Sequence, residues 1–147
     1  QSGVTKTEAK VAIEKFRRSF PRITRWSNSL TETVKFGNAL VIAETGRRIP
    51  VDRRFAYRSI AYTIQSVAAD LFKGALLQLD GAGFGPHLLL PIHDEVLAQA
   101  PESEAAEVAA EMASVMSGQL GAVPVTAAAE VIGVAWGHKY DREVIHV

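Results

Sequence analysis

Apolar residues recur along this chain at two different periods, and the switches between them predict where helices give way to strands. Val11, Ile13 and Phe16, interleaved with Lys10, Glu14 and Lys15, read as a short amphipathic helix. Thr5 followed by Glu8 is a capping-box pattern at its start. Ser19-Phe20-Pro21 ends that helix and opens another, because proline is welcome in a first helical turn. Ile23, Trp26, Leu30 and Val34 keep helical spacing, and Gly37 is the expected stop. Ala39 to Ala43 is short, apolar and partly β-branched; with the turn Glu44-Thr45-Gly46 and the following Arg47-Arg48-Ile49 it predicts a small hairpin. Asp52 is the expected cap of the longest helix, over 53–79, whose apolar face is Ile60, Ile64, Val67, Ala68, Leu71, Phe72, Ala75 and Leu79. Its other face carries Arg58, Tyr62, Gln65, Ala69 and Lys73.

Beyond a glycine-rich loop at 81–86, two apolar runs, His87 to Ile92 and Val96 to Ala100, are separated only by His93-Asp94-Glu95. That pattern predicts a hairpin with an acidic turn. Pro101 precedes a helix expected over 102–119, and 123–134 reads as a last strand, placed at an edge near its start by Pro124. Helices packed on an antiparallel sheet make an α+β architecture. A chain of 147 residues can hold one domain with a single core, and no internal repeat or clear linker interrupts it.

Apolar stretches such as Leu88 to Ile92 are far too short for a bilayer span, so no membrane partner is expected. No signal-peptide pattern is visible, and the absence of an initiator Met makes the start read as a cut or processed end. Zero Cys excludes disulfides and thiolate metal sites and fits a cytoplasmic protein. Formal net charge is +0, yet its distribution is uneven. Residues 1–60 hold 13 Lys and Arg against 5 Asp and Glu, a balance of +8; residues 61–147 hold 3 against 11, a balance of −8. Such a split points to one surface for a polyanion and a second place where carboxylates collect. Two solvated faces of a neutral protein would read the same way.

Three features carry candidate chemistry. A tight turn exposes the His93-Asp94-Glu95 side chains at a sheet rim, and apolar strands on both sides hold Asp94 rigidly, as a metal ligand requires. Hard carboxylate oxygens suit Mg²⁺, which binds through one or two carboxylates plus substrate phosphates. Polar residues simply filling a hairpin turn would look no different locally. On the long helix, Gln65 with Arg58, Tyr62 and Lys73 forms a polar stripe able to bond base edges, sugar and phosphate, or else an ordinary solvated face. Arg47-Arg48 at a turn, with Arg53-Arg54 at a helix start, suit phosphate contacts and are also common on plain surfaces.

Taken in order, these segments resemble the end of a family A DNA polymerase, the bacterial DNA polymerase I type. Ile64-Gln65-Ser66-Val67-Ala68-Ala69-Asp70-Leu71-Phe72-Lys73 resembles the family's helix segment of Gln, a small residue, Ala-Ala-Asp and Lys. Leu89-Leu90-Pro91-Ile92-His93-Asp94-Glu95-Val96 resembles the palm motif called motif C. Phe16-Arg17-Arg18-Ser19-Phe20-Pro21 followed by Trp26 is similar to the segment after the fingers helix, and Thr45-Gly46-Arg47-Arg48 to the hairpin with consecutive arginines. Gly133 to Trp136 resembles the closing Gly-x-x-Trp. The resemblance covers nearly the whole chain.

It implies an antiparallel palm-type sheet with the motif C hairpin, packed by helices, with residues 1–52 as the end of the fingers region and 53–147 as the end of the palm. Asp94 would be one of two metal-binding aspartates, Glu95 an auxiliary carboxylate, and His93 a neighbour of the primer terminus. Gln65 would contact the minor groove, with Arg47 and Arg48 along the duplex. The implied reaction is attack of a primer 3′-hydroxyl on the α-phosphate of a deoxynucleoside triphosphate at a two-Mg²⁺ centre, in replication or repair. Primer-template DNA, deoxynucleoside triphosphates and an N-terminal polymerase part, in the same or a separate chain, are the implied partners. Self-association through an exposed sheet edge is a further expectation.

Departures from the family pattern qualify this. Ala61 stands where Asn is usual, and Pro91 stands where Gln is common. The Asp-Tyr-Ser-like first palm motif and the fingers helix that grips the triphosphate belong before Gln1, so the chain alone is expected not to extend a primer. A non-catalytic nucleic-acid-binding module descended from a palm is the alternative. A small hydrolase built on His93 and Asp94 lacks support, since the His at 87, 93, 138 and 146 form no His-Glu-x-x-His pair.

Overall fold

The capping box at Thr5 forms as the sequence requires. In a computed structural model, which describes residues 3–133, 135, 137 and the backbone of 145–146, the Glu8 amide donates to the Thr5 hydroxyl at 3.3 Å. The Thr5 hydroxyl and amide donate in return to the Glu8 carboxylate at 2.7 and 2.8 Å. Those two bonds, the hydroxyl's first, hold the Glu8 carboxyl below its ordinary range. Helix α1 (Lys6–Ser19) follows, and α2 (Pro21–Phe36) begins with Pro21 in its first turn. No residue of α1 is buried: Val11, Ile13 and Phe16 are all about half exposed.

The chain divides into two compact units, Gln1–Val67 and Ala68–Val147. The first is built on a small apolar cluster of Val34, Val41, Val51 and Ala56, against which Leu30, Ile49 and Tyr62 pack. Strands β1 (Leu40–Ile42) and β2 (Arg48–Pro50) pair antiparallel, and Gly46, at φ +81°, supplies the left-handed turn between them. Gly37 ends α2 for a different reason. A Cβ there would lie 2.5 Å from the Thr33 carbonyl oxygen, so only glycine fits. Gly37→Ala is therefore expected to lower stability by about 1–3 kcal/mol, as overpacking does, read as a shifted urea midpoint; an unchanged midpoint would show that the α2 end relaxes freely.

Asp52 does cap, but not the long helix. Its carboxylate accepts from the Arg54 amide at 2.8 Å and opens a 3-10 helix, Arg53–Arg58, kinked at Phe55. Helix α3 (Ser59–Gly81) starts only after it. The buried line of α3 also differs from the expected apolar face. Ser59, Thr63, Val67, Ala75 and Leu79 are buried, while Ile64 and Ala68 are exposed. Thr63 escapes the usual penalty because its hydroxyl donates to the Ser59 carbonyl at 2.8 Å. Tyr62, placed on the polar stripe by periodicity, is half-buried against the first unit's cluster.

In the second unit, β3 (Leu88–Ile92) and β4 (Glu95–Ala98) form the acidic-turn hairpin. Helix α4 spans only Ala105–Met116, shorter than expected at both ends. Ser117 stops it, with its hydroxyl donating to the Ala113 carbonyl and accepting from the Ala127 amide. Gly118–Leu120 is then a strand, β5, paired with β6 (Val123–Val125), and the expected last strand breaks into β6 and β7 (Glu130–Val131). β7 pairs with β8 (Ile145–His146). The α+β class holds, and among the described residues the strands pair as four two-stranded antiparallel ladders. Trp136, in the closing motif, lies outside the described residues.

Candidate functional site

Asp94 sits at the tip of β3–β4 because the ladder leaves it nowhere else to go. Ile92 pairs with Glu95, so the turn is the two residues His93-Asp94. His93 takes φ +55°, the left-handed region that a two-residue hairpin turn demands and that His enters more readily than most residues. A non-glycine there costs of order 1 kcal/mol, a strain that rigid flanking strands must hold. The outcome is a fixed, outward presentation: His93, Asp94 and Glu95 are all exposed.

Pro91 fits this ladder without breaking it. With Ile92↔Glu95 closing the turn, antiparallel alternation makes Pro91↔Val96 a non-hydrogen-bonded pair. The missing amide hydrogen therefore points away from β4, to the outer edge. That edge cannot donate at Pro91, although Leu89 and Leu90 on the same strand are 55% and 47% exposed. A bulge falls between Leu88 and Leu90.

The base of the hairpin is fastened by a residue that pattern reading missed. The Gln99 amide donates to the His87 carbonyl at 2.9 Å, and His87 Nδ1 lies 2.9 Å from the Gln99 carbonyl oxygen. A carbonyl only accepts, so Nδ1 carries the proton. The His87 ring also rests 6.2 Å from that of Phe84. Its signal in the sequence was slight: one His at the boundary of an apolar run.

The other candidates fall in separate places. Arg47 and Arg48 are exposed at the turn and start of β2. Gln65 and Lys73 are exposed on α3. Arg58, exposed at the end of the 3-10 helix, is bonded by the hydroxyls of Tyr62 and Tyr57, which hold its guanidinium charged and raise its pKa. Arg58 and Tyr62 are thus brought together, as are His93, Asp94 and Glu95.

The model of the family described as DNA polymerase family A matches residues 1–138. The chain belongs to DNA polymerase family A. The DNA polymerase of Mycobacterium phage D29 is 39% identical over 143 residues, 97% of this chain and 23% of that protein. The DNA polymerase of Mycobacterium phage L5 is 38% identical over 96% of this chain and 24% of its own length. The thermostable DNA polymerase I of Thermus filiformis is 32% identical over 78% of this chain. The chain therefore spans less than a quarter of the length of these family A relatives, 15% in the Thermus case.

As a magnesium site, the hairpin tip offers a partial fit. Two neighbouring exposed carboxylates match the hard-oxygen preference of Mg²⁺ and its habit of binding through one or two carboxylates with phosphates. Among the described residues, no group of three or more His, Cys, Asp or Glu gathers that could hold a metal ion. Asp94 and Glu95 suit a shared site rather than a cage of their own. Among the described residues no helix is long and apolar enough to cross a membrane.

Proposed function

We propose that this chain is part of a template-directed DNA polymerase, with residues 1–52 the end of its fingers region and 53–147 the end of its palm. One observation carries the reading: in a family A chain, Asp94 stands exposed on a two-residue turn strained at His93 and braced at its base by His87. A carboxylate held so stiffly at a strand rim is what a reaction centre needs, since misplacement by an ångström weakens catalysis severely.

The reaction is attack by a primer 3′-hydroxyl on the α-phosphate of a deoxynucleoside triphosphate, releasing pyrophosphate. Asp94 would hold magnesium, with Glu95 beside it, and a second palm aspartate elsewhere in the polymerase would share it. Bound there, the metal supplies positive charge for the attacking and departing oxygens. His93 borders the primer end. Gln65 reads the minor groove, a contact made lighter by Ala61 in place of Asn, while Arg47, Arg48, Arg58 and Lys73 face phosphates. Tyr62 acts through Arg58, which its hydroxyl helps hold. The setting is the cytoplasm of a bacterium or a phage-infected cell.

This chain by itself lacks the second aspartate, so it is expected not to extend a primer. Mixed with a polypeptide carrying the rest of a family A polymerase, it should give magnesium-dependent extension on a primed template. Extension by the isolated 147-residue chain would overturn the shared-site reading.

A further inference from the structure

The segment Arg53–Arg58 is shaped by one small buried residue. Ala56 is 1% exposed, inserted into the cluster of Val34, Val41 and Val51, and Ser59 behind it is fully buried. The residues on either side of Ala56 are exposed. Phe55 and Tyr57 remain 39% and 61% exposed, with their rings edge-to-face at 6.5 Å. Burial explains neither of these aromatics.

Arginines frame the rings. The Arg58 guanidinium lies 4.7 Å from the Phe55 ring centre and 5.6 Å from that of Tyr57, while its Nε donates to the Tyr57 hydroxyl at 3.2 Å. Arg53 Nη2 donates to the Gly37 carbonyl at 2.8 Å. Arg54 also lies over the Phe55 ring, at 5.8 Å, but is paired with the Asp52 carboxylate at 2.6 Å. Arg53 and Arg58 are thus fixed by neutral oxygens, which orient a guanidinium without spending its charge. Arg58 beside two partly exposed rings, with Arg53 at the other end of the same 3-10 helix, matches a flexible polyanion whose units each carry a flat ring. A duplex offers phosphates but keeps its bases stacked inside, so it would leave Phe55 and Tyr57 unused.

We infer that Phe55, Tyr57, Arg53 and Arg58 form a binding surface for single-stranded DNA, with bases stacked on the two rings and phosphates on the two guanidiniums. That the strand is an unpaired template rests on the polymerase reading; the surface itself does not.

Binding of a fluorescein-labelled oligothymidylate to the 147-residue chain, read by anisotropy without nucleotide, primer or magnesium, tests it. Replacing both rings, Phe55→Leu with Tyr57→Leu, keeps apolar volume and should weaken single-strand binding roughly tenfold to a hundredfold. Affinity for a blunt duplex of equal length should fall far less, by about threefold at most, since the rings touch no paired base and only the lost Tyr57 hydroxyl loosens Arg58. Arg58→Gln should flatten the salt dependence of single-strand binding by about 0.7 in log–log slope. Circular dichroism of each variant should match the parent. Unchanged single-strand affinity in the ring variant, or an equal loss for duplex, overturns the inference. Because the assay contains nothing that supports extension, such a result leaves the polymerase reading standing, and failed extension leaves this one standing.

Discussion

Asp94→Asn is expected to reduce primer extension by the assembled polymerase about a thousandfold or more, while DNA binding stays within about twofold. The size follows from what is lost. Removing a single neutral donor from a preorganised charge site costs roughly 10²–10³ in rate, and in the proposed site the lost group would carry a full charge to the metal. The selectivity follows from where Asp94 sits. Its side chain is exposed and lies in neither unit's buried core, so an isosteric amide leaves the hairpin intact. Asparagine is in any case at home in tight turns. Extension rates on a primed template in magnesium, beside anisotropy with the same duplex, measure both halves of the expectation. Extension at the parent rate would remove residue 94 from the metal centre and with it the catalytic reading of the turn.

The parts of the fold that were legible in sequence are those fixed by local chemistry. Thr5 and Glu8 form their cap within a single turn of chain, Pro21 opens α2, and Gly46 makes the β1–β2 turn. The His93-Asp94 turn was legible because two apolar runs flank it so closely that the chain can only fold back. What escaped depended on distant partners. Ala56 looks like any helical alanine until the cluster of Val34, Val41 and Val51 claims it, and that insertion makes a separate 3-10 segment of the expected helix start. Counting apolar residues put Ile64 inside and left out Ser59 and Thr63, because it cannot see hydroxyls satisfied by backbone carbonyls one turn earlier. The end of α4 was misjudged for the same reason: Ser117 bonds both to Ala113 and to Ala127, a long-range tie with no local signature. His87 and the ring pair Phe55 and Tyr57 were missed because each acts through neighbours rather than through a motif.

Leu79→Ala is the substitution expected to harm stability most. Leu79 is fully buried, at 0% exposure, and lies two residues before the end of α3. Emptying such a site costs about 2–5 kcal/mol, against a total of roughly 5–15 kcal/mol for a typical domain. The urea midpoint followed by circular dichroism should drop by roughly 1–2 M. Leu77, on the same helix but 75% exposed, is the internal comparison, and Leu77→Ala should stay within about 0.5 kcal/mol. The effect should reach the hairpin as well. The Leu79 carbonyl accepts the Phe84 amide at 2.9 Å, the Phe84 ring rests near His87, and His87 fastens the strands that carry Asp94. Faster hydrogen exchange at the Gln99 amide in Leu79→Ala, with no change in Leu77→Ala, would be the sign of that link. Equal costs for the two leucines would mean that the buried line along α3 is not what anchors the second unit, and the bracing of the acidic turn would then need another source.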